Sequence, residues 1–510
     1  MKSEAQETES VLPLNVEATA PALLPRRDLA PKARPASGDL HAYRCIASKL
    51  EPFFAQSKYS KGFDFVRNSA LTHLGHTDIE KPIFMAGPSD LFTKCNNWED
   101  AKRVKAAGVY PYFRAIESTI GSAVVTHGKR RVMIGSNNYL GLTHHPRVQE
   151  AAKKAIDRFG TGCTGSRFLN GNLVLHEELE HELAQFLGKE SALVFSTGFL
   201  SNQGALSALV GRNDVIYSDR ENHASIVEGT LVSNGDTVKF RHNDMADLER
   251  VLNATREKYE GALIVADGVF SMSGDILNLP RAVELAQKFN CRLYVDDAHA
   301  LGVLGPRGEG TGHHFGLHDK TDVVMGTFSK SFASIGGVIA GTEAVIQWIK
   351  HKSRPFIFSA AMPPAAAATV LECLRISKEE PQHLAQLRAN ATRMRNEISG
   401  MGYNTLNSQT PIIPLLIGDD FTAFAFTQKL YEHGVFATPV VKPAVPDGCA
   451  LIRTSYMATH TNEDLDYVLE VLQKLGREFG IIGGTERQEQ LASLARAHFG
   501  SRIAQQHAQA

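Results

Sequence analysis

The sequence has no clustered cysteines. Its six, at 45, 95, 163, 291, 373 and 449, form no C-x-x-C pair and fit neither a zinc ribbon nor a disulfide framework. That spacing suits a reducing, cytoplasmic compartment. There is no run of 18 or more apolar residues, so no membrane span is expected. There is no excess of charge: 54 Lys and Arg face 55 Asp and Glu, a net charge of −1. A global field able to hold nucleic acid is thereby excluded, although local basic patches are not. The first ten residues, MKSEAQETES, lack both the apolar core of a secretory signal and the Arg-rich, acid-poor look of a transit peptide. Internal repeats are not visible either.

What is present is an ordinary globular composition, 43% hydrophobic and 21% charged, in 510 residues. At about 150 residues per domain that length sets a ceiling of about three domain-sized units. Residues 1–38, rich in Ala, Pro and Glu, read as a disordered tail. From Leu40 the apolar residues Tyr43, Ile46, Leu50 and Phe53 recur at helical steps, so 39–109 reads as a small ordered extension. Beyond it, short apolar strands alternate with amphipathic helices. The helices are Pro146 to Phe159, Leu175 to Leu187 and Pro280 to Phe289. The strands are Ser191 to Ser196, Asp214 to Tyr217, Thr237 to Phe240, Ala262 to Ala266, Cys291 to Val295 and Asp322 to Met325. This alternation predicts an α/β fold whose sheet is at least partly parallel. A long helical stretch follows at about 365–400, then a second α/β unit at about 402–478. The last 25 residues, after Gly483-Gly484, read as one exposed helix and a frayed end.

Four motifs carry chemistry. Gly326-Thr327-Phe328-Ser329-Lys330 directly follows the strand DVVM and is followed by Gly336-Gly337. A lysine placed there loses solvation, and the neutral amine this favours is the form that makes Schiff bases. Thr327 and Ser329 offer hydroxyls to a phosphate. Alone, the motif suits equally well a lysine that snorkels to the surface. Asp296-Asp297-Ala298-His299 lies at the end of CRLYV, where ligands bind in open α/β sheets. A carboxylate there can pair with a buried cation such as a pyridinium nitrogen. Alone, a surface aspartate and a satisfied histidine explain it better. Thr197-Gly198-Phe199 opens a helix after the strand SALVFS and presents free amides, an anion site. His223, in Asn222-His223-Ala224-Ser225, offers a ring that could stack on an aromatic ligand.

Three other patterns point elsewhere. Gly160-Thr161-Gly162-Cys163-Thr164-Gly165 spells G-x-G-x-x-G, but it follows a helix, whereas a dinucleotide fingerprint follows a strand. His176 and His181 stand five apart and share no helix face, so a solvated face with a local cap is expected in place of a zinc site. His313-His314 has no Cys or carboxylate at ligand spacing. No resident metal is read from the sequence.

In order along the chain, NNYLG, TGCTGSRFLNG, FSTGFLSN, NHASI, DGVFSMSGDILNLP, VDDAHALGVLGPRGEG and GTFSKSFASIGG resemble the α-oxoamine synthases over about residues 110–480. YPYFRAIES, VKFRHND and RPFIFSAAMPP look most like the bacterial serine palmitoyltransferases within that family. The resemblance implies the fold-type I, aspartate-aminotransferase-like architecture of enzymes that use pyridoxal 5'-phosphate (PLP). It implies a segment 110–155 packed on a small domain, a large cofactor-binding domain at 156–390, a small domain at 391–480 and a terminal helix and tail at 481–510.

The implied roles follow residue by residue. Lys330 would carry the cofactor and move the proton, Asp296 would pair with the pyridinium and His299 would bond the ring hydroxyl. His223 would stack on the ring. Gly198, Phe199, Thr327 and Ser329 would hold the phosphate, and Ser359 would reach the phosphate of a neighbouring subunit in a homodimer. Asn138 and Arg453 would meet the substrate. The implied reaction condenses an amino acid, serine first, with a long-chain acyl thioester of coenzyme A or a carrier protein. Glycine or alanine with another acyl group, an aminotransferase and a non-catalytic partner subunit are the alternatives. A lipid-like product leaves peripheral contact with the inner membrane open. Phe199 departs from the Tyr often found there, and the family offers no role for the long extension.

Overall fold

The computed structural model of the chain describes residues 90–406 and 408–499. The tail read at 1–38, the extension up to residue 89 and the end of the terminal segment from residue 500 lie outside the described residues.

Three short antiparallel strands come first: β1 (Ser118–Ile120), β2 (Ala123–Thr126) and β3 (Lys129–Met133). A seven-stranded sheet follows. Its strands are β4 (Ser191–Phe195), β5 (Val215–Asp219), β6 (Asp236–Phe240), β7 (Ala262–Asp267), β8 (Arg292–Asp296), β9 (Val323–Thr327) and β10 (Gly337–Gly341), in the order β4-β10-β9-β8-β7-β5-β6. From β9 to β6 the strands are parallel, whereas β10 runs antiparallel to both β9 and β4.

Side chains alternate between the two faces, as strand geometry requires. Val215, Tyr217, Ile264, Ala266, Leu293 and Val295 belong to one apolar cluster, and Ile216, Leu263, Val265, Tyr294, Val323 and Met325 to another. Helix Leu279–Lys288 packs on β8, and helix Gly198–Leu209 covers β4, β9 and β10. With both faces covered, these strands read as continuous apolar runs, which is why the sequence disclosed them.

A second core is built on β11 (Ile412–Gly418), β13 (Thr438–Val440) and β14 (Ala450–Ser455), paired in the order β11-β14-β13. Leu415, Phe426, Leu430, Ile452, Leu465 and Leu472 are fully buried in it. Between β11 and β13 the short β12 (Val435–Phe436) pairs parallel with β3, so the first strands of the described fold join this core. Helix Thr485–Phe499 packs on β11.

Several local expectations need correction. The helical stretch at 365–400 is two helices, Pro364–Glu379 and Gln382–Gly400. Pro381 lacks an amide and its ring clashes with the carbonyl four residues back, so one helix cannot run through it. The second helix serves both cores: Leu384 and Leu387 pack in one, Met394 and Ile398 in the other. Strands β1–β3 and β10 were not expected. β10 is GVIAG, and its glycines mask the strand signal. Gly337 is required there, because a Cβ would lie 2.5 Å from the Ser201 hydroxyl and 2.7 Å from Gly198 Cα. His176 is fully buried and bonds the Met362 carbonyl at 2.8 Å, while its Nδ1 accepts from the Leu173 amide. A cap is present, but the histidine is not on a solvated face; His181 alone is exposed.

One buried ion bridge ties the loops beyond the strand ends together. His242 lies 3.0 Å from Asp219 through Nδ1 and 3.1 Å from Asp275 through Nε2. Burial disfavours the charged ring, but the two carboxylates outweigh it and push the imidazole up to about 10. A folded-state value above the unfolded one stabilises the fold fully below the ordinary imidazole range and loses that effect as pH rises towards 10. The melting temperature of His242→Gln should therefore lie below that of the parent at pH 6, and the gap should narrow steadily to pH 10 in a thermal melt series.

Candidate functional site

A cavity of about 350 Å³ opens where the parallel strands end. In open α/β sheets the carboxyl ends are where loops diverge and leave room for ligands. Asp267 is the last residue of β7, Asp296 of β8 and Thr327 of β9. Lys330 follows three residues after Thr327, and His223 caps helix Ala224–Val232 beyond β5. Of the expected site residues, Gly198, Phe199, His223, Asp296, His299, Thr327, Ser329 and Lys330 all line this one cavity.

The anion end is the start of helix Gly198–Leu209. Thr197 caps it, its hydroxyl accepting from the Leu200 amide at 3.2 Å. The amides of Gly198 and Phe199 stand in the first turn, where no helical partner exists. Thr327 Oγ1 closes on this turn so tightly that a Cβ at position 198 would lie 2.5 Å from it. Ser329 Oγ is 3.1 Å from Thr327 Oγ1. Amides and two hydroxyls thus converge where a helix dipole favours negative charge.

The opposite end carries carboxylates. Asp296 Oδ2 accepts from Asn202 Nδ2 at 2.7 Å, and Oδ1 accepts from the Ala298 amide at 2.9 Å. Asn202 also donates to Ser225 at 2.8 Å and accepts from the Tyr294 hydroxyl at 2.7 Å, so the carboxylate is held by a fully bonded amide. Asp267 stands beside Asp296 in register across β7 and β8. Burial, with Asp296 and Asp219 nearby, raises the Asp267 carboxyl well above the usual range. Its Oδ1 is buried with no hydrogen-bond partner.

Lys330 makes no hydrogen bond or ion pair among the described residues. Burial lowers its amine from 10.5 to about 8, against the pull of Asp296 and Asp267. This is roughly 3 kcal/mol of preference for the neutral amine relative to water. Burial likewise lowers His223 and His299, the latter well below its ordinary value with help from Lys330 and Arg453. Burial therefore disfavours the charged form of both imidazoles in this cavity.

Three expected residues stand outside this lining. Arg453, on β14, donates to the Ser271 carbonyl at 2.6 Å and reaches the Tyr139 hydroxyl at 3.4 Å. Tyr139 is fully buried and bonds His299 Nδ1 at 2.8 Å, so Arg453 connects to the cavity through one phenol. Asn138 donates to Thr143 at 2.9 Å, and its Oδ1 is buried without a partner. Ser359 is half-buried and does not line the cavity of its own chain.

Sequence reasoning did not single out Asn202, Asp267, Ser225 or Tyr139. Each lies inside a quoted motif, FSTGFLSN, DGVFSMSGDILNLP, NHASI and NNYLG. Only the three-dimensional register shows that they meet the cavity or its walls.

A family model for class I and II aminotransferases matches residues 130–472. A serine palmitoyltransferase of Bacteriovorax stolpii is 54% identical over 390 residues, 75% of this chain and 93% of that protein. The chain belongs to the α-oxoamine synthases, within that family. An 8-amino-7-oxononanoate synthase of Thermoanaerobacter pseudethanolicus is 44% identical over 384 residues, 75% of this chain and 97% of that one. Among solved structures, the Sphingomonas wittichii serine palmitoyltransferase is similar with a TM-score of 0.75 and 34% identity, over 77% of this chain and 100% of that chain.

The α-oxoamine synthase has the fold-type I architecture and is a PLP-dependent, acyl-transferring enzyme. The cavity fits that cofactor: a dianionic phosphate suits the helix start, a pyridinium suits Asp296, and Lys330 is a buried amine, lowered to about 8, with no hydrogen-bond partner among the described residues. Among the described residues no helix is long and apolar enough to cross a membrane.

Two outcomes follow. PLP uptake by the cofactor-free enzyme, followed by stopped-flow absorbance, should speed up about tenfold per pH unit below 8 and level off above it, because only the neutral Lys330 amine attacks. Asn202→Ala should weaken PLP retention about 10- to 100-fold in equilibrium dialysis, the scale of a lost hydrogen bond to a buried charge.

Proposed function

We propose that this α-oxoamine synthase condenses L-serine with a long-chain acyl thioester, releasing carbon dioxide and the free thiol and giving a 3-keto sphingoid-type base. The observation that carries the reading is the buried Lys330 amine, lowered to about 8, in the cavity it shares with Asp296 and the start of helix Gly198–Leu209. The likeness to serine palmitoyltransferases at 46–54% identity supports the choice of substrates.

PLP, when bound, supplies the electron sink that makes the amino-acid α-carbon acidic. The chain's own groups do the rest. Asp296 holds the pyridinium proton, braced by Asn202. His299 bonds the ring hydroxyl, its orientation set by Tyr139. His223 lies against the ring. Gly198, Phe199, Thr327 and Ser329 anchor the phosphate and so fix the ring without entering the chemistry. Lys330 would hold the cofactor, yield its place to the incoming amino group, and take the α-proton as general base. The α-carbon would then form its new bond to the thioester carbonyl as the thiolate leaves, the carboxylate would depart as carbon dioxide, and Lys330 would return the proton to the α-carbon.

Arg453 receives the substrate carboxylate from the second core, and Asn138, next to the Tyr139 that Arg453 contacts, meets the substrate beside it. The enzyme acts as a homodimer in which Ser359 reaches the partner's phosphate site.

The 44% identity to an 8-amino-7-oxononanoate synthase favours a second reading, with a different amino acid and acyl group in the same site. The visible spectrum of the PLP-loaded enzyme separates the two. Serine alone should perturb it saturably; a response to alanine or glycine in its place overturns the substrate assignment. Stoichiometric carbon dioxide release distinguishes a synthase from an aminotransferase. Lys330→Ala should lower turnover by at least about 10³-fold in a thiol-release assay, since general base and covalent anchor are lost together. Substantial turnover in that variant would refute the role.

A further inference from the structure

Away from the Lys330 cavity, three segments bring two imidazoles and a carboxylate together. His145 ends the turn before helix Pro146–Phe159, Glu380 caps helix Pro364–Glu379, and His383 lies in the first turn of helix Gln382–Gly400. Glu380 Oε2 is 3.1 Å from His383 Nε2 and 3.6 Å from His145 Nε2, and one ligand atom from each residue lies within 4.8 Å of the other two. Tetrahedral zinc with ligand bonds of 2.0–2.1 Å needs its ligand atoms about 3.3 Å apart, so small side-chain rotations close the set.

We propose that His145, Glu380 and His383 bind a first-row divalent cation, zinc in the first instance, with water completing the coordination.

Four observations support it. The carboxylate is divided: Oε1 accepts from Arg147 Nη1 at 2.9 Å, leaving Oε2 turned towards the two rings. An outer partner of this kind orients a ligating carboxylate. Gln382 Nε2 makes only a long contact to Oε2, at 3.4 Å. Neither imidazole has another side-chain hydrogen-bond partner among the described residues, and His145 Nδ1 is buried with none. Both rings are therefore free to turn a lone pair to a cation.

The local charge also fits. Arg147 bonds Glu372, Glu379 and Glu380, and Arg375 bonds Glu372 and Glu178. Arg147 is thereby shared among three carboxylates, so it compensates Glu380 only in part. The backbone is stiff as well, because Pro146 and Pro381 directly follow two of the ligands and restrict the residues before them. Two imidazoles and one carboxylate, with open positions, form a donor set that suits zinc and its neighbours better than magnesium or calcium.

The site would be a clasp. Residues 138–145 carry Asn138 and Tyr139, and Tyr139 orients His299 in the PLP cavity. A metal at His145 would pin the end of that segment to the junction of two helices that otherwise meet at a proline break.

The test uses the full chain in its PLP-loaded form, stripped of metal with a chelator. Zinc chloride is added, free metal is removed by desalting, and bound zinc is measured by mass spectrometry. One zinc per chain is expected, with a raised melting temperature. His145→Ala, His383→Ala and Glu380→Gln should each weaken binding more than about tenfold. Cobalt substitution should give a visible ligand-field band that the same variants lose. Retention of the PLP absorbance band shows that each variant is folded, and His383→Gln replaces any that is not. The stacked pair His313 and His318 is the control: His313→Ala should bind zinc as the parent does. Failure of the chain to retain zinc, or equal retention by all three variants, overturns the proposal. Because metal content is the readout, the outcome is independent of which amino acid the enzyme uses.

Discussion

A buried lysine amine with no hydrogen-bond partner among the described residues, held beside a carboxylate at the strand ends, is the constraint on which the rest of this structure depends. Lys330 would be costly to hold there as a cation, and burial drives it towards neutrality. Asp296 limits that drift, and burial raises the carboxyl of Asp267, next to it in register, well above the usual range. The result is an amine lowered to about 8 beside two neighbouring carboxyl groups. Neither property belongs to Lys330 as a residue type. Both come from the sheet, which sets the ends of β7, β8 and β9 side by side.

The seven-stranded sheet supplies that convergence, and its two covered faces keep it rigid. The mixed direction matters locally. Because β10 runs against its neighbours, its first residues arrive at the same edge as the ends of β4 and β9. Gly336 and Gly337 thereby reach the start of helix Gly198–Leu209 and close the anion end. A side chain at Gly337 would force Ser201 and Gly198 away, and the amides with them.

The second core adds a different kind of control. Arg453, Tyr139 and His299 form a chain from β14 to the cavity wall, so the placement of one core is registered in the other. Helix Gln382–Gly400 spans both cores with a single apolar stripe. The site is thus not contained in the large sheet alone. Its Arg453 side depends on how the β11–β14 layer is docked, and the first strands reinforce that docking by joining β12.

The sequence alone determined the parallel strands, because strands buried on both faces are continuous apolar runs that local composition reveals. It also determined Lys330, Asp296, His299, His223 and the Gly198 turn, since each lies in a compact motif at the end of such a run. It did not show β10, whose glycines remove the propensity signal, or the break at Pro381, where helical periodicity continues on both sides. Nor did it show Asn202, Asp267 and Tyr139, which are ordinary polar residues until the register of β7 with β8 and the packing of the helix after β4 turn them inward. The cluster of His145, Glu380 and His383 is the extreme case. His145 lies more than 230 residues before Glu380 and His383, so no local motif joins the three. Motifs are legible when the groups that cooperate are neighbours in the chain; contacts between distant segments are decided by tertiary packing alone, because nothing local encodes which surfaces will meet.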